Sequence, residues 1–454
     1  MQLSGKHGKN AFLFVIVCVA LDMLAFGLFI PVMPAYLEEI TGKPGEDTVL
    51  VGGLLMATFG VVNFLSMPII GNLSDKFGRR PVLIISIAGL CIDFIIMGLA
   101  HSLLVLFIGR ALAGLTSATY STASSYIADV TEPEERGKAF GMIGAAFGIG
   151  FVLGPIIGGV LGDIDTRLPF FVAAGIAACN FLYGLLVLPE SLLKENRRPF
   201  ELRRANPFGA FKHFSKLPQV SWFIVGVGIF GLSHSVFSST WSYHGEIRYE
   251  WTPNEIGLSL ALVGIGSAFV QGFLTGRLTK SIGPVRTALF GLAVTTFSMF
   301  LFASAFYGWM AYAFLAVSAF GGVAGPATQQ LMTGVTPKNA QGELQGALAS
   351  VQALSTTIIG PLIMSQTLSY FAKPEAIVQF KGANFVLAGI LAALAFIPFM
   401  KGVRANKGVV RSIDEEVKHG DTPKSAEEVA ELAEANTAAE AEGSDTESTG
   451  SQTN

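Results

Sequence analysis

Gly71-Asn-Leu-Ser-Asp-Lys-Phe-Gly-Arg-Arg80 decides how the rest of this chain is read. It is a short charged stretch, bracketed by glycines, between two apolar runs at 49–70 and 82–100. Each run can cross the roughly 30 Å of hydrocarbon in a bilayer, so together they read as a hairpin of membrane helices. The stretch returns about 205 residues later as Gly276-Arg-Leu-Thr-Lys-Ser-Ile-Gly283. Thr131–Gly141 (TEPEERGKAFG) is echoed by Thr336–Gly346 (TPKNAQGELQG), and Gly154-Pro155 by Gly360-Pro361 with a slip of one. The chain is therefore a duplicated hairpin array.

Working outward, further apolar runs lie at 11–36, 103–128, 137–161 and 168–188, then 219–243, 254–275, 285–306, 309–330, 341–368 and 381–400. The predicted fold is an all-α membrane protein, twelve transmembrane helices in two pseudo-symmetric six-helix bundles. The bundles cover residues 1–188 and 219–402, with a linker at 189–218 and a tail at 403–454. Composition agrees: 51% of the 454 residues are apolar and only 14% charged, against about 25% charged in soluble domains. The joins at His101 and Tyr307 are so short that their flanking helices must be antiparallel. Cys18, Cys91 and Cys179 all sit in apolar runs, without the spacing of a disulfide framework or zinc site. The first run is too long, and followed by too many others, to be a removed signal peptide.

Basic residues orient such an array, because Lys and Arg collect in cytoplasmic loops. With the N-terminus inside, 21 basic residues of the loops, linker and chain ends fall on the cytoplasmic side and five outside (Lys43, Arg167, Arg248, Lys373, Lys381). Both termini and the linker are thus expected in the cytoplasm. The linker carries seven basic and three acidic residues. These either enforce topology or lay a short amphipathic helix along the anionic inner leaflet. From about Gly408 the tail is acidic and poor in apolar side chains, which predicts disorder with a weakly helical stretch at 425–441.

Against this background three charges stand out. Asp22 and Asp93 lie within the first and third spans, and Arg110 lies within the fourth. An intramembrane carboxylate is costly unless it faces a partner or an ion path. Arg110 is either the counter-charge of these aspartates or a snorkelling residue at the outer interface. Asp129 reads as a helix-end charge. In the quoted loop, Asp75 and Arg79 are four residues apart and within reach of one another. Such pairs latch a rocking carrier if they form only when its halves close on that face. His234 is the one second-half histidine within a span, either a packed neutral ring or a proton switch. Duplicated halves point to a substrate site between them near mid-membrane. The soluble segments offer no nucleophile–base or metal constellation, which argues against an enzyme.

The loop, through Gly71, Asp75, Gly78, Arg79 and Arg80, resembles the signature G-x-L-x-D-[RK]-x-G-R-[RK] of the major facilitator superfamily. Gly154-Pro-Ile-Ile-Gly-Gly159, carrying Gly154, Pro155, Gly158 and Gly159, resembles the antiporter motif of its drug/proton branch. There that motif is held to seal the periplasmic side against proton leak. Within the branch, residues 12–400 are most similar to the tetracycline/proton antiporters. Leu21–Pro34 carries Asp22 onto their first-helix aspartate, and Ser86–Asp93 carries Asp93 onto that of their third helix. Those antiporters also carry an arginine in the fourth helix. The resemblance implies a bacterial inner-membrane secondary transporter driven by the proton motive force. It implies no bound cofactor or metal, no nucleic-acid partner and a monomer in lipid, with Asp22, Asp93 and Arg110 in proton coupling.

The sequence also departs from that branch. Its eighth-helix histidine and ninth-helix aspartate fall on Ser267 and Thr295, which weakens tetracycline as the cargo. The candidate lining of the second half is then Trp241, Tyr243, His234, Ser267, Gln271, Gln329, Gln330, Gln352 and Asn384. Aromatics and amides suit a neutral or weakly polar organic compound. Proton-coupled drug efflux is the expected activity, and proton-coupled uptake of a sugar or another small solute is the alternative.

Overall fold

The structure, a computed structural model, describes residues 6–132, 135–201, 207 and 218–419. Twelve helices are long and apolar enough to span a membrane. The first half holds α1 (Phe12–Thr41), α2 (Gly45–Phe77), α3 (Arg79–Leu99), α4 (Leu103–Val130), α5 (Lys138–Ile164) and α6 (Leu168–Val187). The second holds α7 (Ser221–Tyr249), α8 (Pro253–Ile282), α9 (Pro284–Ser304), α10 (Gly308–Val335), α11 (Gln341–Ala372) and α12 (Ala383–Ala405). Helices suit these segments because they satisfy every backbone polar group internally where no water can. Leu104, Leu186 and Trp309 project outward, as lipid-facing side chains do.

The repeat is visible in the packing. In the first half α1 packs on α5 and α6, and α3 on α6; in the second, α7 packs on α11 and α12, and α9 on α12. Gly78 and Gly283, which end α2 and α8, both hold positive φ, +109° and +84°. Only glycine takes such angles without strain. Matched helices also share irregularities. α4 is interrupted at Ser117-Ala118 and α10 by a 3-10 turn at Phe320–Val323. The wide π turns of α8 at Val270–Leu274 and α11 at Ala353–Ile359 belong to the second half alone, since their counterparts α2 and α5 run uninterrupted.

The halves meet through α5 against α8 and α2 against α11, pairs that exchange under the repeat. The tight approaches run from mid-span toward the end opposite the termini. A Cβ on Gly159 would sit 2.6 Å from the Pro253 carbonyl oxygen, and one on Gly257 or Gly53 would strike Pro155 or Ser365. Polar contacts reinforce this end: Lys373 Nζ to Asp47 Oδ1 at 2.6 Å, Ser369 Oγ to the Glu46 carbonyl at 2.7 Å, and Asn254 N–H to Asp163 Oδ1 at 3.2 Å. Toward the terminus-bearing end, Gly141, Gly144 and Gly148 on α5 and Gly342 and Gly346 on α11 face open space. The two bundles are sealed at one end and splayed at the other.

Two expectations need correction. The tail is not disordered from 408: Lys407–His419 forms a further helix, α13, lying against α8, α9 and α10. Val410, Ile413 and Val417 repeat at helical spacing and are buried there. Asp414 accepts the Val285 N–H at 3.2 Å, at the start of α9. The second bundle therefore runs to 419, while 420–454, including the stretch at 425–441, lie outside the described residues, as does half of the linker. The seventh span does not end at 243 either. Polar residues lower its hydropathy there, yet α7 continues to Tyr249 and carries Glu246 with it. Glu255, by contrast, caps α8 in a reciprocal pair with Thr252.

Candidate transport site

Between the halves lies a cavity of about 730 Å³, within the usual range for small-molecule sites. The first half supplies Phe26, Phe29, Phe59 and Arg110; the second supplies Phe230, His234, Phe237, Tyr243, Ser267, Gln271 and Thr295. The wall is therefore largely apolar, with aromatic rings from both halves and scattered hydroxyls. Helix irregularity helps to aim these groups. Gln271 sits on the π turn of α8, and Gly321 and Gly322 of the α10 turn let the wall recede. His234 stacks on Phe230 and meets Phe237 at a tilt, with ring centroids 6.0 and 5.4 Å away, and is exposed to the cavity rather than packed out of sight.

Arg110 is only 7% exposed. Its guanidinium pairs with the fully buried Asp93 and lies 5.1 Å over the Phe29 ring. The alternative of an arginine snorkelling to the interface is thus excluded. Behind Arg110, a second cavity of about 260 Å³, walled by the first half apart from Thr357 of α11, is lined by Asp22, Asp93 and Arg110 together. Asp22 accepts a hydrogen bond from Asn180 Nδ2 at 3.1 Å. The three residues singled out from the sequence therefore share one chamber, and Arg110 alone of the three also borders the main cavity.

Three lining assignments fail. Trp241 points into an aromatic cluster with Phe237, Phe302 and Phe385 and donates to Ser259 Oγ at 2.8 Å. Asn384 is fully buried and donates to Thr240 Oγ1 at 2.9 Å. Both are structural because they sit on helix faces turned from the axis; on α7 the serines at 238, 239 and 242 line the wall instead. Gln330 lines none of the cavities described here. Gln329 and Gln352 face a separate chamber of about 270 Å³ that shares Phe230 and His234 with the main one. Thr357, from the π turn of α11, lines the main cavity and was not legible in the sequence.

The glycine-rich motif works on two faces. A Cβ on Gly154 would come 2.7 Å from Gly27 Cα, and one on Gly158 would strike the Leu28 carbonyl, so these two join α5 to α1. Pro155 and Gly159 meet Gly257 and Pro253 of α8. In the loop after α2, Arg79 binds Asp75 at 2.7 Å and Asp129 at 3.2 Å, and its N–H donates to Glu190 Oε1 at 2.8 Å. Arg80 donates to the Leu185 carbonyl at 2.9 Å, while Gly71 faces open space. These partners belong to the first half and, in Glu190, to the start of the linker, and are engaged while the terminus-bearing end is open. The expected latch across the closed face is not what these pairs form. Asp129 is a member of this cluster.

Glu246 is the residue that hydropathy misses. It lies at the sealed end, where its Oε2 and Glu38 Oε1 would lie 3.4 and 3.1 Å from a Cβ on Gly45. Its Oε2 is buried with no hydrogen-bond partner.

Two six-helix bundles, sealed at one end around a central cavity, define a membrane carrier of the secondary-transporter type. The Major Facilitator Superfamily profile matches residues 15–250 and 239–435. The class C tetracycline resistance protein of Escherichia coli is 39% identical over 357 residues, covering 79% of this chain and 89% of that protein. The class G protein of Vibrio anguillarum is 37% identical over 361 residues, covering 78% and 89%. Among solved structures, a bacterial homolog of the human lysosomal transporter Spinster, inward-facing and unoccupied, superposes with a TM-score of 0.71 at 16% identity, covering 90% of this chain and 99% of that one. The chain belongs to the Major Facilitator Superfamily. It is a multi-pass inner-membrane transporter and not an enzyme.

Proposed function

We propose that this protein exports a largely apolar organic compound, of the kind that tetracycline resistance proteins remove, in exchange for protons. The reading rests on one observation: a two-sided aromatic cavity adjoins, through Arg110, a first-half chamber holding Asp22 and Asp93. Both termini lie in the cytoplasm in this proposal, in keeping with the distribution of basic residues. The sealed end is then the outer one, and the cavity opens inward, ready to load cargo from the cytoplasm. The chain works as a monomer in lipid, without nucleic acid or bound cofactor, and the proton motive force is its energy source.

Proton uptake from outside neutralises a carboxylate of the first-half chamber. Loss of that charge alters the cost of closing the bundle around it, which biases the rocking equilibrium. Asp22, held by an amide, is the first carrier. Asp93, tied to Arg110, is the second, and the loop residues Asp75, Arg79 and Arg80 keep the first half rigid as it turns. Solute uptake, the alternative, gains no support from the resistance proteins that resemble this chain. The test is drug accumulation in cells stripped of their own pumps, paired with proton-driven uptake into everted vesicles. Expression should lower tetracycline accumulation, and Asp22→Asn should remove the proton dependence. Accumulation that rises on expression would refute export.

A further inference from the structure

Formal charge is distributed unevenly around the main cavity. Among the described residues that line it, Arg110 is the one charged at neutral pH, and none is a carboxylate. Asp22 and Asp93 stand behind it in the adjoining chamber and do not reach the main wall. Ser267 and Thr295 both line the main cavity, so the positions where similar exporters place a histidine and an aspartate offer only hydroxyls.

Arg110 is also under-used as a donor. A guanidinium carries five N–H groups and no acceptor. Here Asp93 is its acceptor, and the buried Nε has no partner. Asp93 lies on the far side, so the positive end of this pair is turned toward the cavity. The Phe29 ring under the guanidinium lets a flat aromatic body lie beside the charge. His234, Tyr243 and the wall hydroxyls add donors around the same space.

We infer that Arg110 sets the charge preference of the cavity, and that the cargo is an aromatic compound bearing an acidic oxygen group rather than a cation. The inference rests on the export reading and narrows its substrate class. Asp93 takes only part of the donor capacity of the guanidinium, and its cavity-facing side can donate to an anionic oxygen of the cargo. A cation would enter a space that holds positive charge and no carboxylate to meet it. Phenyl faces do attract cations, and that competing outcome is built into the test.

The experiment uses the purified full chain in detergent and two dyes with the same xanthene body, anionic fluorescein and cationic rhodamine 123. Binding is read by fluorescence polarisation. Fluorescein should bind about tenfold or more tightly than rhodamine, the ratio expected from one well-placed charge contact. Arg110→Gln should erase that ratio, while Arg110→Lys keeps part of it. Thr295→Asp, on the opposite wall, leaves Arg110 in place and should weaken fluorescein and strengthen rhodamine. Equal or tighter rhodamine binding by the unaltered protein overturns the inference, as does failure to bind fluorescein. A ratio that survives Arg110→Gln overturns it too; should that variant not fold, an unchanged ratio in Thr295→Asp does the same. Efflux of either dye from cells reports on export separately, so a cation exporter would sink this inference and leave the export reading standing.

Discussion

At the scale of single residues, the energetics centre on charge held away from water. Asp93 and Arg110 desolvate each other, and removing one partner strands the other. Asp93→Asn or Arg110→Gln alone should cost about 3–5 kcal/mol, the range for breaking a buried pair. The double variant should cost less than the sum of the singles, since neither charge is then orphaned. Thermal melting of the four proteins measures that coupling. Glu246 is the converse case, a carboxylate oxygen at the sealed seam with nothing to accept from. Glu246→Gln should raise the melting temperature of this conformation, because it replaces an uncompensated buried acid with a neutral amide. An unchanged or lower melting temperature would show that Glu246 is hydrated at the seam.

At the scale of elements, α5 is the helix on which both sets of contacts depend. Its glycines at 154 and 158 admit the α1 backbone, and Gly159 admits α8. Gly158→Val should destabilise the fold by about 1–3 kcal/mol through overpacking and abolish export, as read by melting and drug accumulation. Gly144→Ala meets open space inside a helix and should hold stability or raise it by up to about 1 kcal/mol. The amphipathic α13 makes a similar prediction at the other end of the molecule. Ile413 is fully buried, so Ile413→Ala should cost about 2–4 kcal/mol, whereas truncation after residue 419 should spare the second bundle.

For the whole molecule, the question is what holds the sealed end shut. Apolar and backbone contacts between α5 and α8 and between α2 and α11 dominate, with the Asp47–Lys373 pair at the rim. The hydrogen bond to Asp47 raises the Lys373 ammonium above its ordinary value of 10.5. A raised folded-state value means that the pair contributes fully below the ordinary value and fades only as pH rises through the higher one. The rim pair should therefore stay formed through neutral pH, and be lost in strong alkali and again in strong acid, where Asp47, held below its ordinary value by Lys373, takes up a proton. Both partners are about 40% exposed (41% and 38%), so Lys373→Ala should cost at most about 1 kcal/mol and be masked by salt. Distance measurements between spin labels on the two halves, taken against pH and salt, would check this.

The sequence by itself determined the twelve spans, the duplication and the three intramembrane charges that the proposed mechanism uses. Those features are written locally, in apolar run length, in repeated glycine-bracketed loops, and in charges placed where lipid would reject them. Asp22, Asp93 and Arg110 were legible for that reason, and the structure brings all three to one chamber. Tertiary structure alone decided which polar residues face the cavity. Trp241 and Ser242 are neighbours on one helix, yet one is core and the other is wall, because rotation of α7 about its axis is set by the helices packed around it. The sequence leaves Glu246 just outside the seventh span, because hydropathy averages over a window and ends a helix where polar residues gather. The Val410, Ile413 and Val417 stripe was hidden by the charges around it, and only the exposed ends of α8, α9 and α10 give it something to cover.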